Sequence, residues 1–425
     1  MEINNILEQD IYSRQVISEI KKWMPDKEML LLLGARQTGK TSILYKIIQD
    51  IVSGGAAGAG DVFFFDAENI NDAAMLSRGP EEIVKIVKPE KGARKYIFLD
   101  EIHYVKNIDR TIKVLVDHYG KKLKIIATGS SSLEIKNRFK ESMAGRKIVF
   151  NVYPLWFGEY LAFTGKKELA EVARGGSLIK ETGAAKEHMR LLASEYYGYM
   201  VYGGYPRVVL EPDTGKKKKL LEEIYTSYVR KDVSAFFRIE DIDKFNALIN
   251  YTALNSGQLF NKNSASKELG IAAKTIDRYI NVLKLTYIAG IVKPFHNNKT
   301  KEILKMPKIY FYDNGIRNAV TGNFADIESR ADAGVMLETA AYLNLIRHAG
   351  GAGNIKFWRS KTGAEVDFVI DSGRIKAFEC KKSAALFSAS RYSAFIEKYR
   401  PGGFYVLNLD REEHGKIIFK PVYYI

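Results

Sequence analysis

Short, fully apolar runs alternate with helical spacing over the first 150 residues. Met29–Leu33 is apolar at every position, the pattern of a strand covered on both faces in a parallel sheet. Val62–Asp66 (VFFFD), Tyr96–Leu99 (YIFL) and Lys124–Thr128 (KIIAT) read as further strands. Ile17, Ile20 and Trp23 recur at helical spacing, which predicts a helix within residues 1–25 that Pro25 stops. Thr41–Ile51 reads as a second helix. This alternation predicts an α/β domain with a parallel sheet over residues 1–150. Ser53–Gly60 (SGGAAGAG) reads as a flexible loop. It follows a helix and precedes a strand, the reverse of a dinucleotide-binding glycine loop.

The rhythm changes near residue 150. Residues 151–245 read as a helical region, a candidate lid, with a glycine turn at Gly203–Pro206 and a lysine run at Lys216–Lys219. Residues 246–330 read as a compact helical module ending in strands, and 331–425 as helix followed by alternating strands. Several domains suit a chain of 425 residues, since one core usually stops growing at roughly 250–300 residues.

Charge and cysteine content narrow the chemistry. The net charge of +15 points to a polyanionic partner, nucleic acid first, or to a generic basic protein. The single cysteine, Cys380, excludes an intramolecular disulfide and a thiolate zinc cluster. No apolar run approaches the ~20 residues of a membrane span. The polar N-terminus is unlike a secretory signal, so a cytoplasmic protein without a membrane partner is the expectation.

The strongest chemical signal follows the first strand. Gly34-Ala35-Arg36-Gln37-Thr38-Gly39-Lys40-Thr41 fits GxxxxGK[ST], and Ser42 continues it. Glycines let backbone N–H groups turn around phosphates, and the next helix points its positive end at them. Lys40 is expected to reach the β- and γ-phosphates of ATP and Thr41 to ligate Mg2+. Asp100-Glu101 ends an apolar strand, where α/β sheets place ligands. Asp100 is the expected second magnesium residue and Glu101 the group that polarises the attacking water. Thr128 and Ser130 end another strand; they are candidates for γ-phosphate sensing or water orientation, or are turn residues. Arg146 is a candidate arginine finger, in cis or to a neighbouring subunit, or a surface arginine.

The ordered set GARQTGKTS, IFLDEIHYV, IIATGSSSLEI, AGRK and YPLWFGEY resembles prokaryotic AAA-type ATPases that carry a C-terminal domain of uncharacterised function. The resemblance covers nearly the whole chain. It implies ATP binding and hydrolysis and admits a homo-oligomer.

Two further constellations stand outside that set. In SASKELGIAAKTIDRYINVLKL (264–285), Ser264 or Ser266 is expected to cap a short helix, with a turn at Leu269-Gly270-Ile271 and a second helix over Lys274–Leu285. Ile276, Ile280 and Leu283 fall inward, and Lys274, Arg278 and Asn281 fall on the opposite side, the layout of a helix-turn-helix. Lys293–Tyr312, with Lys299, Lys301, Lys305 and Lys308, reads as a wing. Such a winged helix binds DNA, or serves as a protein-contact or lid module. In the C-terminal region, Glu338 on a helix, Asp367 on a strand and Glu379-x-Lys381 on the next strand resemble the PD-(D/E)xK, restriction-endonuclease-like fold. The resemblance implies metal-assisted phosphodiester hydrolysis: Asp367 and Glu379 binding magnesium, Glu338 completing the shell and Lys381 activating water. The same fold without cleavage serves binding.

Overall fold

The computed structural model describes residues 3–89, 92–130, 139, 143–175, 186–229, 233, 241–296, 302 and 305–425. They fall into two compact units, Met1–Tyr153 and Pro154–Ile425.

The first unit is built on five strands: β1 (Met29–Gly34), β2 (Val62–Asp66), β3 (Lys95–Asp100), β4 (Leu123–Ser130) and β5 (Lys147–Val152). All pairings are parallel, in the order β2-β3-β4-β1-β5. The continuous burial of β1 explains its all-apolar sequence. The helix Lys40–Ser53 follows β1 and buries Ile43, Leu44, Ile47, Ile48 and Ile51 against the sheet. Because β4 lies between β1 and β3, side chains of three strand ends meet at the carboxyl edge. Lys124, fully buried on β4, donates to the carbonyls of Asp26 (3.0 Å) and Glu28 (2.8 Å) and so fixes the entry to β1.

The N-terminal helix differs from the expectation. Instead of one helix within 1–25 there are two, Ile3–Leu7 and Val16–Lys22. Between them runs a non-helical segment from which buried Arg14 reaches into the glycine loop.

The second unit contains a seven-stranded mixed sheet in the order β12-β11-β10-β9-β8-β6-β7. Its strands are β6 (Ala289–Pro294), β7 (Lys308–Phe311), β8 (Ile355–Arg359), β9 (Glu365–Asp371), β10 (Ile375–Cys380), β11 (Gly403–Asn408) and β12 (Ile418–Pro421). β6 and β7 pair antiparallel, and β6 then pairs parallel to β8, so the middle module and the C-terminal region share one sheet. They also share helical packing. Val208, Leu221 and Ile224 from the region read as a lid lie in one core with Phe245, Ile276, Leu283 and Ile316.

The helix-turn-helix expectation matches the observed backbone, with helices Lys262–Leu269 and Ala273–Leu285 around a turn at Gly270. The cap is Asn261, whose side chain accepts from the N–H groups of Asn263 and Ser264, rather than Ser264 or Ser266. Ser266 is committed to the turn, donating to the Ile271 carbonyl at 2.6 Å. Among the described residues no helix is long and apolar enough to cross a membrane.

Candidate functional site

The glycine loop spans the end of β1 and the start of the helix Lys40–Ser53, so the helix N-terminus and its free N–H groups face the loop. Gly34 is required sterically: a Cβ there would come within 2.2 Å of the Val152 carbonyl oxygen on β5. The Lys40 ammonium is buried and lies 3.1 Å from the Ala35 carbonyl oxygen and 3.7 Å from Glu101 Oε1. Thr38 is also buried and donates to the Ala35 carbonyl at 2.9 Å.

Thr41 Oγ1 donates to Asp100 Oδ2 at 2.7 Å. Thr128, on the strand between them, donates to Asp100 Oδ1 and accepts the Glu101 N–H at 2.9 Å. Burial pushes the Asp100 carboxyl up, while its bonds to Thr128 and Thr41 oppose that rise. Glu101 behaves in the opposite way. Burial raises it, but the Lys40 charge, the His103 hydrogen bond and Arg36 outweigh burial and hold it at about 2. His103 Nδ1 lies 3.1 Å from Glu101 Oε2.

Two groups here escape sequence reading. His103 sits two positions beyond Glu101, and only the short helix Ile102–Tyr104 turns it back. Arg14 donates to the Thr38 carbonyl at 2.9 Å and to the Tyr153 carbonyl at 3.0 Å, pinning the glycine loop from a distant segment. No motif spacing links either residue to the loop.

Other expected residues separate from this cluster. Arg146 precedes β5, and its carbonyl accepts from Met29 N–H at 2.9 Å, at the amino edge of the sheet. The glycine loop lies at the carboxyl edge, a strand length away. Arg146 instead pairs with Asp117 at 2.6 Å, so it does not reach this chain's own loop. The side chain of Ser130 lies outside the described residues.

In the second unit, Lys274, Arg278 and Asn281 are all exposed on the helix Ala273–Leu285, as expected. Its inward face is Ile276, Tyr279, Val282 and Leu283, with Ile280 only partly buried. The wing expectation needs correction at Lys308, which is 2 % exposed and ion-paired with Glu365. Lys305 is exposed, and Lys299 and Lys301 lie outside the described residues.

The C-terminal acidic residues do come together. Asp367 on β9 accepts from Cys380 N–H at 2.8 Å through Oδ2, and its own N–H faces Glu379 Oε2 at 3.4 Å. Glu379 Oε1 accepts from Tyr392 at 2.7 Å and from Lys381 at 2.5 Å. Glu338 Oε2 accepts from Tyr310 at 2.8 Å. Burial first, and then repulsion from Asp367, pushes the Glu338 and Glu379 carboxyls up. One oxygen of each of Asp367, Glu379 and Glu338, the residues expected to hold magnesium, is held by a protein donor, and among the described residues no three His, Cys, Asp or Glu side chains form a metal-binding group.

Residues 26–161 match the family model described as AAA domain. Residues 193–327 and 333–422 match models described as domain of unknown function (DUF8612) and domain of unknown function (DUF4143). Two uncharacterized proteins of Methanocaldococcus jannaschii are similar to the chain. One is 26% identical, covering 93% of this chain and 84% of its own; the other is 25% identical, covering 92% and 87%. An uncharacterized protein of Haemophilus influenzae is 22% identical, covering 80% and 78%. Among solved structures, C. elegans PCH-2 matches with a TM-score of 0.34 and 15% identity, over 53% of this chain and 66% of that one. The Thermotoga maritima RuvB Holliday junction branch migration motor matches with a TM-score of 0.31 and 14% identity, over 67% and 93%.

Proposed function

We propose that this protein is a magnesium-dependent ATPase that binds the nucleotide through Gly34–Ser42. The observation that carries this reading is the 2.7 Å bond from Thr41 Oγ1 to Asp100 Oδ2, beside a helix N-terminus and the buried Lys40. Backbone N–H groups of the loop bind the phosphates, and Lys40 exchanges its carbonyl contacts for phosphate oxygens. Thr41 and Asp100 are hard oxygen donors of the kind magnesium takes, and they are the residues that would hold it. The bound ion supplies neutralisation of phosphate charge. Glu101 orients the attacking water. When Lys40 turns to the phosphates, the charge that most depresses Glu101 is shared, and the carboxylate becomes a better proton acceptor. Calorimetric titration of MgATP into the Lys40→Ala variant tests the assignment. Binding should be lost; unchanged affinity would sink it.

The second unit favours an ATP-switched nucleic-acid-binding role. The exposed Lys274, Arg278 and Asn281 support it, beside a groove of about 520 Å³ lined by Lys262, Asn281, Lys284 and Lys305. In this reading residues 1–150 are the ATPase core, 151–245 a helical connection, 246–330 a winged-helix-like DNA reader and 331–425 a nuclease-like fold used for binding. Arg146 then acts only on a neighbouring copy, which makes a homo-oligomer part of the reading.

A further inference from the structure

The acidic cluster of the second unit receives an unexpected visitor from β7, the edge strand of the sheet. Lys308 and Tyr310 lie two residues apart on β7 and so on one face; Tyr310 reaches Glu338, and Lys308 reaches Glu365, which shares a face of β9 with Asp367 two positions on. Tyr310 donates to Glu338, and Lys308 pairs with Glu365 through a side chain that is 2 % exposed. The Lys308 ammonium also lies 5.4 Å from the centre of the Phe357 ring. An ammonium buried this deeply survives only where carboxylates compensate its lost hydration. Asp367, Glu338 and Glu365 do so: burial lowers the lysine pKa, but their charges outweigh it and raise it.

With Lys308 in place, the same groups are not arranged as a free metal shell. Magnesium requires near-octahedral oxygen ligation at about 2.0–2.1 Å, with lone pairs converging on one point. Here one oxygen of each carboxylate is already held by a protein donor: Asp367 Oδ2 by Cys380 N–H, Glu379 Oε1 by Tyr392 and Lys381, Glu338 Oε2 by Tyr310. A second positive charge, Lys381, already stands beside Glu379. Adding a divalent ion would bring it against two ammonium groups.

We propose that Lys308 is the built-in cation of this cluster, taking the charge-balancing place that a divalent metal holds in a nuclease centre, so that the C-terminal sheet binds no catalytic metal. A strand assigned by sequence to a DNA-contacting wing therefore supplies the counter-charge of a silenced acidic site. The inference stands apart from nucleotide binding by the first unit.

The test is manganese binding to the nucleotide-free full chain, read as free Mn2+ by electron paramagnetic resonance. Wild type and Asp367→Asn should bind the same number of ions with the same affinity, since any Mn2+ bound at the glycine loop is common to both. Lys308→Met should gain one ion per chain, and Lys308→Met/Asp367→Asn should lose it again. Loss of an ion on going from wild type to Asp367→Asn would overturn the proposal. So would a folded Lys308→Met variant that gains none. Circular dichroism checks folding; if Lys308→Met does not fold, the comparison of wild type with Asp367→Asn decides.

Discussion

Thr128, near the end of β4, holds the end of β3 twice: its hydroxyl donates to Asp100 and accepts the Glu101 N–H at 2.9 Å. The strand order puts it in reach, because β4 lies beside β3 and between it and β1. Thr128 is fully buried, so its hydroxyl is spent on holding the acidic pair rather than on sensing phosphate directly. Thr128→Val keeps the shape and removes the hydroxyl. Hydrogen bonds to charged groups contribute about 1.5–3 kcal/mol, so kcat for ATP should fall roughly 10- to 100-fold. KM should move far less, because Lys40 and the loop N–H groups are untouched. Steady-state kinetics separate the two; a raised KM at constant kcat would assign Thr128 to binding.

Glu101 gives a second kinetic expectation. Glu101→Gln keeps the side-chain volume and removes the carboxylate, so MgATP binding should persist while turnover drops by about 10²–10⁴. Because the Glu101 pKa is held at about 2, the wild-type carboxylate stays ionised throughout neutral and mildly acidic pH. A folded pKa below the unfolded value adds stability above the unfolded pKa and loses it as pH falls toward 2. In the free enzyme, an acid limb of kcat/KM at mildly acidic pH should therefore come from groups other than Glu101. Its disappearance in residual Glu101→Gln activity would assign that limb to Glu101.

The first unit was the most legible part of the sequence where its strands, β1 above all, are buried on both faces and spell out as apolar runs; β5, half-buried or exposed at all but Val152, left no such run. Met29–Leu33 and Val62–Asp66 lie within the observed strands for that reason. The polar partners were legible only where a motif fixes their spacing, as for Lys40 and Asp100. Arg14 acts through backbone carbonyls, which leave no mark in sequence, and so was missed. Lys308 was misread because a lysine in a basic stretch looks like surface; the acids that bury it come from β9 and the helix Ala333–Ala349, about thirty to sixty positions downstream. The joining of β6 to β8 was equally hidden, since strand pairing across a long connection has no local signature.

Asp313 links two glycine turns and yields a stability prediction. Its Oδ2 accepts from Gly204 N–H at 2.7 Å and its Oδ1 from Ile316 N–H at 3.0 Å. Burial pushes the carboxyl up to about 6 against these donors. A folded pKa above the unfolded ~3.9 means that the folded chain holds the extra proton between about pH 4 and 6. The Asp313 contribution to stability therefore falls as pH rises through that window. Denaturant midpoints at pH 4.5 and 6.5 should differ less in Asp313→Asn than in wild type. Gly204→Ala places a Cβ 2.1 Å from the Leu155 carbonyl oxygen and should cost on the order of 1–3 kcal/mol at either pH.

Nucleic-acid binding is tested through its salt dependence. Lys274 and Arg278 are exposed on one helix, one turn apart, where both can reach a phosphate backbone. Each phosphate contact contributes about 0.9 to the slope of log K against log salt on duplex DNA. Lys274→Ala/Arg278→Ala should therefore weaken duplex binding at low salt and flatten that slope by up to about 2. Asn281 carries no charge, so Asn281→Ala should leave the slope unchanged and alter only discrimination between sequences. Fluorescence anisotropy over a salt series, with and without MgATP, reads both effects. Equal slopes for wild type and the double variant would move the DNA contact elsewhere on this basic chain, and no binding at low salt would remove DNA as its partner.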